Sequence, residues 1–391
     1  MTMVFEYANR VKKIPPYLFA EIEEKVRAKK AQGVDIIDFG IGDPDIPTPA
    51  PIVEELRRQV LDPENHNYPS SAGEPEIRKA IAEFYGKRFG VDLDPQGEVC
   101  ILLGSKEGLA NIARAFVNPG EKVLCPDPAY PVYAQGATTL CDAIPVRVPL
   151  LPDRNFQIED SSGVLDRTAK MLYINYPNNP TGACVSKEYL IGLYLWCVET
   201  NTIMVYDNAY SELTFDDYAA PSMMEVGKEG AIEFGSLSKT FNMTGYRLGY
   251  AVGDANLISG LKRVKSQIDS GAPKFVQKAA AFALDHYKGR DKPKMVRDNI
   301  KIFEDRRNIM VKGLRELGFD VSLPKGTFYL WFRVNGSSMK FADRMLNEAG
   351  VVITPGIGFG PNGEGFVRMA LTQDSKRISE ALERMAKVLR K

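Results

Sequence analysis

Residues 231–252 read AIEFGSLSKTFNMTGYRLGYAV, in which two mostly apolar runs of strand length enclose a turn rich in serine, threonine and glycine. The runs, 231–234 and 248–252, lack the strict alternation of a strand with one face in water, so we expect a sheet covered on both faces. The turn between them holds Lys239 and Arg247. In such sheets, ligand-binding residues follow the C-terminal ends of the strands. This stretch therefore predicts a fold class and the position of a site.

Five similar runs precede this stretch, separated from one another by helical segments or long turns. They cover residues 99–103, 122–125, 143–148, 171–175 and 203–206. Together the seven runs are rich in valine, isoleucine, leucine and tyrosine. They predict an α/β fold whose large domain has a mostly parallel seven-stranded sheet flanked by helices.

The chain on either side of this region has a different pattern. Helical periodicity is expected over residues 17–30, 255–288 and 292–317 and near 338–349 and 374–390, with short strands at 319–323, 327–334 and 365–371. The C-terminal strands and helices predict a second, smaller α+β domain. We therefore divide the chain into an N-terminal segment that packs with the small domain, a large domain that holds the site, and the small domain, at residues 1–50, 51–288 and 289–391.

Composition argues against several classes of protein. Lysine plus arginine and aspartate plus glutamate each number 50, so the chain has no net charge and we expect no nucleic-acid partner. The sequence shows no signal-peptide core and no run of about 18 apolar residues, which predicts a cytoplasmic protein without a membrane span. The five cysteines lie far apart and are expected to be reduced, and with only two histidines we expect no metal site.

Polar and aromatic residues follow the predicted strands at the points where the strands end. These residues are Ser105 and Lys106, Tyr130, Asn179, Asp207 and Tyr210, and finally Ser236, Ser238 and Lys239. Because the C-terminal ends of parallel strands meet at one edge of a sheet, we expect one cleft to collect these side chains.

The residue types indicate a particular cofactor. A lysine becomes a nucleophile when burial or a nearby cation lowers its pKa, whereas hydroxyls, backbone amides and an arginine suit a phosphate. An amine and a phosphate clamp in one site favour pyridoxal phosphate, whose pyridine nitrogen a buried Asp207 could stabilise. Each residue also has a structural interpretation: Asn179 in a simple turn, Asp207 as a helix cap, and the tyrosines in the core.

The ordered set of motifs resembles the fold type I, class I/II aminotransferases that depend on pyridoxal phosphate. The resemblance covers nearly the whole chain, through Gly40-Ile41-Gly42-Asp43-Pro44, Tyr68 with Gly73, Gly104 to Gly108, Tyr130, Asn179-Pro180-Thr181-Gly182, Asp207 with Tyr210, Ser236-Leu237-Ser238-Lys239, Arg247 and Phe366-Val367-Arg368.

The resemblance implies a role for each of these residues. Lys239 would form the Schiff base and move protons, Asp207 would hold the pyridine nitrogen, and Tyr130 would cover the ring. Asn179 and Tyr210 would bind the phenolate oxygen. Phosphate would be held by Ser105, Lys106, Ser236, Ser238 and Arg247, with Tyr68 reaching it from the other subunit of a homodimer. Arg368, with Gly40 and Asn179, would bind the substrate carboxylate.

The implied reaction is a ping-pong exchange of an amino group between an amino acid and a 2-oxo acid. Within the family, residues 39–45 and 236–245 look most like the LL-diaminopimelate aminotransferases of lysine biosynthesis, which use 2-oxoglutarate. Aspartate, alanine or aromatic amino acids stay open as substrates, because the sequence does not identify the residues that bind the distal end. Two other hypotheses are a pyridoxal phosphate-dependent C–S β-lyase and a transcription regulator with a degenerate aminotransferase domain; for the regulator, the chain shows no added DNA-binding segment.

Overall fold

The computed structural model describes residues 5–16, 18–159 and 163–390, and within residues 18–20 the backbone alone. Its α-helices are α1 (Asn9–Lys12), α2 (Leu18–Ala31), α3 (Ala50–Val60), α4 (Pro75–Phe89), α5 (Ser105–Phe116), α6 (Lys187–Thr200), α7 (Leu237–Thr240), α8 (Ala255–Lys265), α9 (Lys274–Leu284), α10 (Lys294–Glu316), α11 (Ser338–Arg344) and α12 (Ser375–Leu389). Its strands are β1 (Ile37–Asp38), β2 (Val99–Leu102), β3 (Lys122–Asp127), β4 (Ile144–Pro149), β5 (Met171–Asn175), β6 (Ile203–Asp207), β7 (Ala231–Ser236), β8 (Gly249–Gly253), β9 (Tyr329–Arg333), β10 (Val351–Val352), β11 (Thr354–Pro355) and β12 (Phe366–Ala370).

A seven-stranded sheet forms the centre of the molecule and confirms the predicted fold class. Its strand order is β2-β8-β7-β6-β5-β3-β4. Strand β8 is antiparallel to both of its neighbours, and the remaining pairs are parallel. The register pairs Asn175 with Asp207 and Asp207 with Phe234. The last residues of β5, β6 and β7 therefore lie at the same edge of the sheet.

Both faces of this sheet are buried, as the apolar runs predict. Met204 and Tyr206 on β6 point into one core, which includes helices α4, α6 and α9, whereas Val205 points into a second core with α5 and α8. Successive side chains of a strand alternate between faces, so a strand with helices on both sides needs apolar residues at nearly every position. This requirement explains why the strands read as continuous apolar runs.

The small domain contains a three-stranded antiparallel sheet, β11-β12-β9, with α10 and α12 packed in its core. The N-terminal segment joins it through the parallel pair β1–β10, in which Ile37 pairs with Val351. Helix α10 spans the junction, because Val296 packs in the large core and Phe303 in the small one. The division at residues 50 and 288 stays a prediction.

The helical region predicted over residues 255–288 contains two helices, α8 and α9, since the intervening Gly271 has φ +93° and Pro273 precedes α9. One local prediction was wrong. Residues 319–323 form a single bridge, between Val321 and Phe332, rather than a strand. The carbonyl of Val321 instead accepts hydrogen bonds from the Arg315 guanidinium. No helix in the described part of the chain is long and apolar enough to cross a membrane.

Candidate active site

A cavity of about 510 Å³ lies between the large sheet and the small domain, where the predicted residues converge. All but one of the predicted site residues line it: Gly40, Ser105, Lys106, Tyr130, Asn179, Asp207, Tyr210, Ser236, Ser238, Lys239, Arg247 and Arg368. The exception is Tyr68, whose surface is 86% exposed in the single chain. The sheet edge brings together residues from the C-terminal ends of five strands, β2, β3, β5, β6 and β7, as the parallel topology requires.

Asp207 ends β6 and is buried at the base of the cavity. Its Oδ2 accepts a 2.7 Å hydrogen bond from the Tyr133 hydroxyl, whereas its Oδ1 has no partner among the described residues. Burial raises the pKa of this carboxyl to about 6, and the Tyr133 hydrogen bond partly offsets that effect. A buried carboxylate oxygen without a donor suits a cationic or N–H partner within the cavity.

Lys239 lies on α7, the short helix that follows β7. Its Nζ donates a 3.0 Å hydrogen bond to the carbonyl of Gly42 and lies 5.4 Å from the centre of the Phe328 ring. Burial lowers the pKa of the ammonium from 10.5 to about 8, and Arg247 and Arg368 lower it further while Asp43 opposes them. A substantial fraction of the amine is therefore neutral and nucleophilic in mildly alkaline solution.

The N-terminus of α5 forms a second side of the cavity. Gly104 precedes Ser105 with φ +79°, and a Cβ at Gly104 would lie 2.5 Å from Nη2 of Arg247. A Cβ at Gly249 would lie 2.5 Å from the backbone nitrogen of Ser105. These glycines let the helix terminus, β8 and the Arg247 guanidinium approach closely. Backbone amides at a helix N-terminus beside an arginine suit an anion.

Arg368, on β12 of the small domain, faces the large domain across the cavity. Its Nη1 donates to Oδ1 of Asn179 at 2.9 Å and its Nη2 donates to the carbonyl of Gly40 at 2.7 Å. The guanidinium also lies 4.3 Å from the centre of the Tyr329 ring. The structure thus brings together the three residues predicted to bind a carboxylate, although they are far apart in the sequence.

The remaining predicted residues surround these groups. The Tyr130 ring lies 5.5 Å from Nζ of Lys106. The Tyr210 hydroxyl is buried 3.2 Å from that of Tyr329. The Ser236 and Ser238 side chains are also buried, on either side of Leu237 at the end of β7.

Several cavity residues were not predicted. Tyr133 lies three residues after Tyr130, in the short π-helix Val132–Thr138 that follows β3, and Asn175 ends β5, so both occupy strand-end positions that could have suggested them. The Nδ2 of Asn175 donates to the carbonyl of Asp207 and its Oδ1 accepts from the amide of Asn179, which fixes both segments. Tyr329 and Glu23 come from distant parts of the chain, and no local signal indicates them.

Comparison with known proteins identifies the family. The model of the family described as aminotransferase class I and II matches residues 34–385. The chain belongs to the aminotransferase class I and II family. This aminotransferase is 47% identical to the LL-diaminopimelate aminotransferase of Aquifex aeolicus, over 98% of this chain and 99% of that protein. It is also 47% identical to the LL-diaminopimelate aminotransferase of Desulforudis audaxviator, over 98% of each chain.

Solved structures agree with this assignment. A mutant aspartate aminotransferase of Thermus thermophilus superposes with a TM-score of 0.91 at 29% identity, over 98% of this chain and all of that one. The predicted family and fold are confirmed. This aminotransferase belongs to a family of pyridoxal phosphate-dependent enzymes that act on an amino acid and a 2-oxo acid. Among the described residues, no group of three or more His, Cys, Asp or Glu is placed to hold a metal ion.

Proposed function

We propose that this chain is an LL-diaminopimelate aminotransferase that binds pyridoxal phosphate at Lys239 and uses 2-oxoglutarate as the amino acceptor. The observation that carries the proposal is the near-complete match, at 47% identity, to relatives named for that reaction. The arrangement of the cavity supports the cofactor and the reaction class.

The cavity residues fit pyridoxal phosphate at both ends of the molecule. The α5 terminus with Ser105, together with Arg247, Ser236, Ser238 and Lys106, would hold the phosphate. Asp207 Oδ1, buried and without a donor, would accept the N–H of the pyridine ring, and the adjacent cation would lower the raised pKa of that carboxyl. Tyr130 would cover the ring, and Asn179 and Tyr210 would bind its phenolate oxygen.

When bound, the cofactor supplies an aldehyde for the amine and a protonated ring that withdraws electrons from the substrate Cα–H bond. Lys239 is suited to capture the aldehyde and to move the Cα proton, because its lowered pKa keeps part of the amine neutral near neutral pH. The carbonyl of Gly42 orients the Nζ within the cavity.

Arg368 would bind the α-carboxylate of the substrate. Arg368 lines the cavity, where its two terminal nitrogens donate to Asn179 and to the Gly40 carbonyl, and a carboxylate would receive two parallel N–H donors from this guanidinium. This fork would fix the orientation of the Cα–H bond relative to the cofactor ring. An Arg368→Ala variant is therefore expected to lose affinity for the amino acid while it retains the cofactor.

The active site would be completed by a second copy of the chain. Tyr68 does not reach the cavity of its own chain, and its aromatic side chain is almost fully exposed. We assign it to the phosphate site of the partner subunit in a homodimer. An exposed tyrosine suits this role because its ring can be buried at a subunit interface while its hydroxyl forms a hydrogen bond.

A panel of amino donors tests the proposal directly. The purified protein with pyridoxal phosphate and 2-oxoglutarate is offered LL-diaminopimelate, aspartate, alanine, phenylalanine and tyrosine, and glutamate formation is followed. We expect LL-diaminopimelate to give the highest kcat/KM. A higher value for aspartate or an aromatic amino acid would replace the proposed substrate and keep the reaction class.

The same preparation separates transamination from elimination. A β-lyase would release pyruvate from cystathionine or cysteine without a 2-oxo acid acceptor. We expect no such release. Pyruvate formation at a rate comparable to transamination would instead assign the chain to the lyases, whose fold and cofactor site are shared with this family.

A further inference from the structure

A buried ammonium group lies next to the first turn of α5, outside the main cavity of about 510 Å³. Lys265 ends α8, and its side chain is 1% exposed. Its Nζ donates to Oε1 of Glu107 at 2.9 Å and to both carboxylate oxygens of Asp269 at 2.7 Å. Burial opposes the charged form of this amine, but the hydrogen bonds and charges of the two carboxylates outweigh burial and raise its pKa. We call these three residues the Lys265 cluster; with one ammonium and two carboxylates, its net charge is negative.

Glu107 connects the Lys265 cluster to the turn that begins α5. Its Oε1 also accepts from the backbone amide of Leu103 at 3.2 Å, and its Oε2 accepts from Nδ2 of Asn111 at 2.6 Å. Leu103 directly precedes Gly104, which lines the main cavity together with Ser105. A carboxylate in the first turn of a helix stabilises the helix but repels an anion bound at the same terminus. The buried ammonium offsets that repulsion.

Asp269 connects the Lys265 cluster to the loop that carries Tyr68. Its Oδ1 accepts from the amide of Gly271 at 2.7 Å. A Cβ at Gly271 would lie 2.6 Å from the carbonyl oxygen of Ser70, so the two loops are in close contact. The amide of Ser70 in turn donates to Oε1 of Glu74 at 2.8 Å. The loop that carries Tyr68 therefore packs against the segment that Asp269 holds in place.

We propose that Lys265 is a positioning residue for the phosphate of pyridoxal phosphate. Its ammonium neutralises Glu107 beside the α5 terminus and fixes, through Asp269, the loop that presents Tyr68 to the partner subunit. The inference rests on the proposed function, since it assumes that the α5 terminus and the partner's Tyr68 hold the phosphate. Without the ammonium, two carboxylates would be left without their cation beside a bound anion, and their charge would oppose phosphate binding.

The charge of the Lys265 cluster can be changed in both directions without replacing a residue that lines the main cavity. Lys265→Met removes the positive charge, Glu107→Gln removes one negative charge, and the double variant has the net charge of the parent. Affinity for inorganic phosphate is measured by calorimetric titration of the protein without cofactor. We expect it to fall about tenfold in Lys265→Met, to rise about threefold in Glu107→Gln and to lie near the parent value in the double variant.

Two comparisons separate this effect from a loss of packing. Pyridoxal, which lacks the phosphate group, should bind Lys265→Met and the parent equally, whereas a disordered site would bind it more weakly. Lys262→Met is the matched control on α8, because the Nζ of Lys262 donates to the Gln96 carbonyl at 2.6 Å rather than to the Lys265 cluster. This variant should keep the parent affinity for phosphate. If Lys265→Met does not fold, tighter phosphate binding by Glu107→Gln alone supports the inference, and weaker binding overturns it.

Hybrid dimers test the link to Tyr68. One chain carries Lys239→Ala with Lys265→Met, the other chain is the parent, and a different affinity tag on each chain isolates the hybrid. Its one working site has an intact Lys265 in its own chain and takes Tyr68 from the altered chain. The pyridoxal phosphate concentration for half-maximal activity should be about threefold higher than in a hybrid with Lys239→Ala alone, because one contact to the phosphate is misplaced. Equal concentrations would overturn this link.

The outcome for the parent separates the inference from the proposed function. Unchanged phosphate affinity in Lys265→Met, with a parent protein that binds phosphate and pyridoxal phosphate, would overturn the role of Lys265 alone. A parent protein that binds neither compound would overturn both the role of Lys265 and the proposed function.

Discussion

At the scale of single residues, the site combines two groups whose burial is unfavourable for their charged forms. Lys239 and Asp207 have pKa values shifted toward neutrality for the same reason, removal from water. Each pKa shift reflects a burial that lowers the stability of the protein without ligand. Both groups suit a ligand that carries an aldehyde at one position and a cation at another. The burial of Lys239 and Asp207 therefore lowers the stability of the protein without ligand and at the same time prepares both groups to bind one.

Replacing Lys239 by methionine is expected to stabilise the protein without cofactor. Lowering the pKa from 10.5 to about 8 corresponds to about 3 kcal/mol of destabilisation at pH 7. Between pH 8 and 10.5 the unfolded chain binds the extra proton, so the stability of the parent rises with pH and the advantage of Lys239→Met shrinks. Denaturant unfolding at several pH values measures this difference.

Lys312→Met is the matched control for that measurement. Lys312 is 79% exposed on α10, and its replacement should change stability by no more than about 0.5 kcal/mol at any of these pH values. The Lys239→Met variant should also lose all turnover and the visible absorbance of lysine-bound cofactor. Equal stability of Lys239→Met and the parent at pH 7 would contradict a desolvated amine.

Replacing Tyr133 by phenylalanine is expected to weaken cofactor binding most strongly at low pH. The Tyr133 hydroxyl donates to Asp207 Oδ2, so its loss should raise the pKa of that carboxyl above about 6. A protonated Asp207 cannot stabilise a ring cation, and affinity should decline at a higher pH than in the parent. Titration of pyridoxal phosphate from pH 5.5 to 8 should show about tenfold weaker binding at pH 6.5.

Tyr173→Phe provides the comparison for this experiment. Tyr173 stacks on Tyr133 with ring centres 5.2 Å apart, but its hydroxyl donates to the Leu109 carbonyl and not to Asp207. This variant should keep the parent pH dependence. A parallel change in both variants would show that Tyr133 acts through packing rather than through the carboxylate.

At the scale of elements, the proposed phosphate site depends on close packing between the α5 terminus, β8 and the turn after α7. Ala at Gly104 would force a side chain into the left-handed region and would place its Cβ against the Arg247 guanidinium. We expect Gly104→Ala to reduce stability by about 1 kcal/mol and to weaken binding of inorganic phosphate about tenfold or more. Thermal unfolding and calorimetric titration measure the two effects.

Gly120→Ala is the control that separates the expected loss of stability from the expected loss of phosphate affinity. Gly120 has nearly the same φ, +81°, and no atom lies within 4 Å of the position its Cβ would take. The control variant should show the loss of stability without the loss of phosphate affinity. Unchanged phosphate affinity in Gly104→Ala would remove the α5 terminus from the anion site.

At the scale of the whole molecule, the proposed homodimer makes a prediction about mixed subunits. In a hybrid of Lys239→Ala and Tyr68→Ala chains, one of the two sites would contain an intact Lys239 and an intact Tyr68 from the partner. Refolding the inactive Lys239→Ala chain together with the weakly active Tyr68→Ala chain should restore roughly a quarter of the parent activity, because about half of the dimers would be hybrids with one working site. No recovery would indicate that Tyr68 serves its own chain or none.

The sequence by itself determined the sheet and most of the residues that line the main cavity. Apolar runs such as 203–206 are local, and residues just after them, including Asp207 and Lys239, must meet at one sheet edge whatever the rest of the chain does. Local patterns also predicted α2, α10 and α12, because helical periodicity and glycine or proline boundaries act within one element.

Only the tertiary structure decided the features that join distant segments. The contact of Arg368 with Asn179 and Gly40, the hydrogen bond from Tyr133 to Asp207 and the position of Glu23 beside the main cavity depend on how the small domain and α2 pack on the large one. Residues 319–323 likewise form only one bridge, at Val321, where the Arg315 side chain donates to the Val321 carbonyl. Such contacts are set by the packing of distant segments against one another, and no local sequence pattern encodes that packing. They are also the contacts most able to determine which amino acid the site accepts.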